Sequence, residues 1–137
     1  MDADTLMTLP IKTDVKSVEA REALAKMVTK LFQLWDLNTA DQLVLLGLSL
    51  KSRAVLERYS NGGFLPKSKE MLTRVGWLMA IHKELRILYP YNQDICYSWV
   101  KRRNKAFNDT APIDVMLEQG VIGFIKVARY LEHYANN

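Results

Sequence analysis

A single cysteine, Cys96, occurs in this 137-residue chain. It has no second thiol for an intrachain disulfide, which suits a reducing cytoplasm. Its reading as a small buried apolar residue beside Trp99 outweighs its reading as a nucleophile. Glycine and proline are scarce, at 6 and 4. These two residues punctuate and break helices, and Leu, Ala, Lys, Glu and Met are plentiful, so the composition points to an all-α protein. No apolar run reaches the roughly 18 residues of a transmembrane helix. Residues Met1 to Thr13 hold Asp2 and Asp4 and lack a basic segment followed by an apolar one, so no secretory signal is expected. The expected location is the cytoplasm.

Catalytic motifs are missing too. There is no Walker loop, no Gly-rich phosphate turn and no G-x-S-x-G. His82 and His133 stand apart, and no His, Cys or carboxylate sits at metal-ligand spacing from His82. The carboxylates are scattered. The expectation is a protein that is not an enzyme, with no catalytic residue, no metal and no cofactor.

What is present is a large apolar share, 49%. That suffices for one compact unit or two small subdomains sharing a core. The net charge of +4 is unevenly placed. Residues 1–50 carry 5 basic and 7 acidic residues, net −2. Residues 51–74 carry Lys51, Arg53, Arg58, Lys67, Lys69 and Arg74 against Glu57 and Glu70, net +4. Residues 75–137 carry 8 basic and 6 acidic residues, net +2, with a cluster at Lys101–Lys105. Such local density suits a phosphate backbone, and it also suits a solvated helix face.

In chain order, residues 1–16 read as a flexible N-terminal arm without helical period. Ser17 opens a helix with Glu19 and Glu22 near its positive end. Leu24, Met27, Val28, Leu31, Phe32 and Trp35 recur at spacings of three and four, an amphipathic stripe that ends near Asp36-Leu37. Asn38 caps a short helix to Leu46, Gly47 breaks it, and Lys51 to Tyr59 form the next, with Ser49 as its cap. This is helix–turn–helix grammar. As a reading head it places Lys51, Ser52, Arg53 and Glu57 toward the major groove, with Arg58, Lys67 and Lys69 on flanking phosphates. A long helix over about 67–89 follows, its stripe running from Met71 and Leu72 to Leu85 and Leu88. Gly76 within it predicts close packing against a neighbour. His82 reads as a satisfied core or boundary histidine. Tyr89-Pro90-Tyr91 ends the helix, and Asn92 caps another that carries Ile95, Cys96, Trp99 and Val100.

The most ordered stretch is WVKRRNKAFNDTAPIDVMLEQGVIGFIKVARYL, from Trp99 to Leu131. A basic helix end runs into the turn 104–109. Thr110 or Ala111 then caps a short helix with Pro112 near its first position, and that helix stops at Gly120. Ile113, Met116 and Leu117 line one face of it. A last helix carries Ile122, Phe124, Ile125, Val127, Ala128, Leu131 and Tyr134.

Trp99, Asn104, Phe107, Pro112, Asp114, Met116, Leu117, Gly120, Val127, Tyr130 and Leu131, in this order and at these spacings, resemble the toxin-binding domain of Xre/MbcA/ParS-type antitoxins. The segment from Arg74 to Pro90 is similar to the family's long helix, R-x3-L-x-x-I-x-K-x-L-x3-(F/Y)-P. Leu45-Leu46-Gly47-Leu48-Ser49 resembles the turn of an Xre-like helix-turn-helix. The likeness covers residues 38–134. It departs from the family where many relatives carry a Trp near the end of the second helix and this chain has Leu56 or Tyr59 nearby. The loop 60–66 is a further departure.

The resemblance implies a helical bundle with an Xre-like helix-turn-helix, joined by a long helix to a small helical toxin-binding module. The implied parts are a flexible arm over 1–16, a DNA-binding part over 17–73 and a toxin-binding domain over 74–137. It implies an antitoxin of a type II toxin–antitoxin system. Its partners would be a RES-domain toxin that consumes NAD or modifies with it, and operator DNA bound as a homodimer within a larger complex. The implied toxin-contacting end is Arg129, Tyr130, Glu132, His133, Tyr134 and Asn137. There Tyr130, Leu131 and Tyr134 would act as apolar anchors, and Glu132 or the terminal carboxylate of Asn137 would meet basic groups of the toxin. Packing within the module is an equally good reading of the aromatic residues. The alternatives are a helix-turn-helix regulator without a toxin, and a helical interaction module that binds no DNA.

Overall fold

The computed structural model describes residues 14–135. The described residues form seven α-helices and two short 3-10 turns, with no β-strand. The chain divides into two compact units after Val75. The reading of residues 1–13 as a flexible arm lies outside the described residues.

The N-terminal unit begins with a turn in which Asp14 Oδ1 accepts from the Lys16 amide at 2.9 Å. Helix α1, Val18–Leu34, opens at Ser17, whose hydroxyl accepts from the Ala20 amide at 3.1 Å. This bond satisfies one of the amides that a helix start leaves without a partner. Met27, Val28, Leu31, Phe32 and Trp35 are buried as their spacing predicts. Helix α2, Thr39–Leu45, is capped by Asn38, whose Oδ1 accepts from Asp41 N at 2.8 Å. It ends in a left-handed turn at Gly47, φ +69°. The Gly47 amide donates to Val44 O and the Leu48 amide to Leu43 O, the paired bonds that close such a helix end. Arg74 completes this end. Its Nη1 donates to Leu45 O at 3.1 Å while its Nε pairs with Glu70 at 3.2 Å.

Helix α3, Arg53–Ser60, packs on α1 and buries Leu56 and Tyr59. It starts two residues later than its apolar pattern predicts, and Ser49 is not its cap. The Ser49 hydroxyl instead accepts from Lys51 N at 3.2 Å within the preceding turn. Ser52 occupies the cap position without a side-chain bond, because its φ of −94° and ψ of 28° are not the extended capping geometry. The loop after α3 is tied down by Arg21, a buried cation. Arg21 donates to Lys16 O and Leu65 O, and its guanidinium lies 5.0 Å from the centre of the Phe64 ring.

Helix α4, Lys69–Leu88, crosses the boundary between the units. The Ser68 hydroxyl accepts from Met71 N at its start. Gly76 is a correction to the sequence reading. It is exposed, and a Cβ built there meets nothing within 4 Å, so no neighbour demands it. Gly76→Ala is expected to raise stability by about 1 kcal/mol, the helix-propensity difference, as read by thermal or urea unfolding.

In the C-terminal unit, helix α5 spans Gln93–Ser98 and is capped by Asn92. A 3-10 turn over Trp99–Lys101 follows, then a second over Lys105–Phe107. Helix α6 is Pro112–Gln119 and helix α7 is Val121–Ala135. Ala111 is the cap, Pro112 takes the first position, and Gly120 ends α6. Helices α6 and α7 pack closely at Gly123, where a Cβ would stand 2.5 Å from Val115 O. Phe124, Val127, Ala128 and Leu131 fill the core with Ile113 and Met116. Ile122, one of the apolar residues that the last helix carries, is 64% exposed. It lies one position from Gly123, about 100° around α7 from the close contact with α6.

His82 is 2% exposed. Its Nε2 lies 3.3 Å from the Tyr97 hydroxyl, and its Nδ1 is buried without a hydrogen-bond partner among the described residues. It is therefore a core histidine only half satisfied. Burial pushes its pKa below the ordinary 6.5. The unfolded chain then takes up a proton near pH 6.5 that the folded one refuses, so stability falls as pH drops through that value. The expected slope is at most about 1.4 kcal/mol per pH unit. Unfolding measured between pH 7.5 and 5.5 should show a smaller acid loss in His82→Gln than in the unaltered protein.

Candidate functional site

The C-terminal unit gathers aromatic rings from segments far apart in sequence. Tyr130 on α7 stacks on Trp99 with centroids 6.1 Å apart and planes at 17°. Phe107 meets the same ring edge-on at 5.2 Å, and Tyr134 lies 6.0 Å away, one turn further along α7. Such offset and edge contacts each contribute about 1 kcal/mol beyond burial. Tyr89, at the end of α4, belongs to the group. Its pKa is raised by burial first, then by Tyr134 and Tyr130, against a lowering by Arg102.

The loop carrying Phe107 is built by Asn104. Its Oδ1 accepts from Ala106 N at 2.9 Å, its carbonyl accepts from the Phe107 and Asp109 amides, and its amide donates to Thr110 O. Asn108 and Asp109 take left-handed conformations, φ 57° and 63°, which Asn and Asp tolerate better than most side chains. The spacing Trp99, Asn104, Phe107 thus has a local cause. Asn104 closes a loop that sets Phe107 on Tyr130.

The predicted partner-facing residues divide. Tyr130 is half-buried within the cluster, so packing is part of its role. Tyr134 is 59% exposed. Arg129, Glu132 and His133 are exposed along α7. Asn137 lies outside the described residues. Tyr89 and Arg102 were missed as members, because no periodicity links them to α7. Cys96 is buried and its thiol is pushed up in pKa by that burial.

In the N-terminal unit, Arg53, Glu57 and Arg58 stand exposed on α3. Arg53 and Glu57 line a polar groove with Thr29, Gln33 and Gln42, while Glu57 and Arg58 border a second hollow with Asn61. Lys51 is exposed in the turn before α3, and Ser52 is half-buried at its cap. Lys67 and Lys69 are exposed beyond the Arg21-anchored loop. The α2–α3 connection, residues 46–52, is longer than the three or four residues usual in a helix-turn-helix.

Among the described residues no helix is long and apolar enough to cross a membrane. No group of three His, Cys, Asp or Glu among them could hold a metal ion.

No curated protein matches the chain. Residues 84–136 match a protein-family model described as the antitoxin Xre/MbcA/ParS C-terminal toxin-binding domain, a family that is not a class of enzymes. The matched segment contains the whole aromatic cluster from Tyr89 to Tyr134 and the Gly123 crossing of α6 and α7. The C-terminal part of this chain is thus similar to the toxin-binding domain of the Xre/MbcA/ParS antitoxins, and the match supports that antitoxin family.

Proposed function

We propose that this chain is the antitoxin of a type II toxin–antitoxin system, and that its C-terminal unit binds and neutralises a RES-type, NAD-using toxin by covering the toxin's active site. The observation that carries this reading is the family match over residues 84–136, with an exposed Tyr134 beside a packed aromatic base. Tyr134 supplies an apolar anchor of the kind that dominates interfaces. Glu132, exposed beside it, or the terminal carboxylate of Asn137 would meet the cationic groups of the toxin that hold a pyrophosphate, Glu132 by exchanging its partner within the chain. Tyr130 acts mainly through position, since its ring is held between Trp99 and Phe107.

The N-terminal unit is proposed to bind operator DNA and repress its own operon. Arg53, Glu57 and Arg58 face solvent on α3, with Lys51, Ser52, Lys67 and Lys69 flanking it. Binding to paired half-sites requires a homodimer, completed by the toxin in a larger complex. The seven-residue α2–α3 connection favours a second reading, in which this unit binds protein rather than DNA. DNA affinity that falls steeply with salt, through counterion release, would decide for DNA.

The test of neutralisation is co-purification with the product of the adjacent open reading frame, followed by activity of that product with and without this chain. Deleting residues 132–137 is expected to restore toxicity while the helical content and any DNA shift persist. A truncated chain that still protects cells would count against active-site coverage by this end.

A further inference from the structure

Exposed cations stand on the same segments that carry the aromatic cluster, and toxin binding by apolar anchors does not account for them. Arg102 belongs to the cluster, since its charge acts on Tyr89 together with Tyr130 and Tyr134, and its Nε donates to Ser98 Oγ at 3.0 Å. Arg103 and Lys105 are exposed on the segment between Trp99 and Phe107, both cluster members. Neither side chain makes a hydrogen bond or ion pair among the described residues. Arg129 is exposed immediately before Tyr130. Against these four cations the same segments carry Asp109 and Glu132, and Glu132 already has a partner within the chain. Holding like charges on the segments of a half-exposed aromatic group costs free energy in the isolated chain, and an opposite charge across an interface relieves it.

We infer that this surface docks a protein face of stated chemistry: an apolar hollow that accepts the Tyr134 ring, bordered by carboxylates that meet Arg103 and Lys105. The inference rests on the toxin-binding reading and names the toxin surface that reading requires. A protein fits better than a nucleic acid strand, because Trp99, Tyr130 and Phe107 stack on one another rather than stand apart as platforms for successive bases. The cations govern encounter and register, while the ring governs residence.

The experiment uses the full chain and the toxin purified from the complex with the adjacent gene product. Association and dissociation rates are measured at low and high salt. The double variant Arg103→Glu with Lys105→Glu is expected to slow association about tenfold or more at low salt and to flatten the salt dependence. Arg103→Lys should keep both properties, and circular dichroism confirms that each variant is folded. Tyr134→Ala is expected to speed dissociation about tenfold or more with association little changed. A complex whose rates ignore the charge reversal overturns the acidic-face inference and leaves toxin binding standing. No complex with the unaltered chain overturns both. If the charge reversal instead abolishes binding of a labelled single-stranded oligonucleotide while toxin association is unchanged, the cations serve nucleic acid and the inference is wrong.

Discussion

Replacing Gly123 with valine is expected to destabilise the C-terminal unit by about 3 kcal/mol, the upper end of the usual range for overpacking. A Cβ at this position would lie 2.5 Å from the carbonyl oxygen of Val115 and 3.1 Å from both Met116 Cα and Gln119 Cβ. Two of those three atoms are backbone, so relief requires α6 and α7 to separate. Separation exposes Phe124 and Met116, which are fully buried, and the stacked Tyr130 travels with α7. The helix-propensity gain over glycine is well under 1 kcal/mol for a β-branched residue and does not offset the clash. For a unit of this size the loss corresponds to a fall in Tm of roughly 10 °C or more. Two units permit two transitions, so unfolding is best followed by tryptophan emission, to which Trp77 and Trp99 contribute from this unit, alongside circular dichroism. A melt unchanged from the parent would show that α6 and α7 do not cross as described. Gly76 supplies the contrast. It is also a helical glycine, yet its expected response to alanine has the opposite sign because nothing approaches it.

The second large effect belongs to Arg21. Arg21→Ala is expected to destabilise the N-terminal unit by about 2–3 kcal/mol, the range for hydrogen bonds made by a charged group together with a cation–π contact. The guanidinium bonds the carbonyls of Lys16 and Leu65 at 3.0 and 2.8 Å and lies over Phe64. Truncation leaves the Leu65 carbonyl, in a buried hydrogen bond, without this donor. The Leu65 amide, which donates to Arg21 O at 3.3 Å, holds the loop by the backbone alone. Hydrogen exchange at the amides of residues 61–65 should rise well beyond the global change in stability. Arg21→Lys should recover only part of the loss, since one ammonium cannot reproduce the planar fork or the stacking on Phe64. If lysine restores full stability, the two carbonyl bonds and the ring contact are not the source of the anchoring. Because Lys67 and Lys69 follow this loop, Arg21→Ala is also expected to weaken any DNA binding by the N-terminal unit.

Much of the architecture was readable in the chain. The three-and-four spacing of Leu31, Phe32 and Trp35, the caps Ser17, Asn38 and Asn92, the Pro112 start and the Gly120 stop are local signals. Local signals survive into the structure because each satisfies backbone groups within a few residues of itself. The start of α3 shows where this fails. Ser49 and Ser52 both suit a helix cap, and residue type alone does not choose between them. The turn that follows Gly47, with Ser49 bonded to Lys51, moves the start to Arg53.

The sequence by itself determined an all-α chain, the order of its helices, the left-handed turn at Gly47 and the order of motifs from Trp99 to Leu131, since these depend on residue chemistry over short spans. Only the tertiary structure decided which glycine is a packing requirement, because Gly76 and Gly123 are indistinguishable as letters in a helix and differ only in what stands opposite. It likewise decided that Arg21 and Arg74 serve as internal clamps, Arg21 buried on the loop after α3 and Arg74 at the end of α2, while the Arg103 and Lys105 side chains are exposed without partners among the described residues. A cation's role follows from the carbonyls, rings and carboxylates that folding brings within about 3–6 Å of it, and those neighbours come from distant parts of the chain.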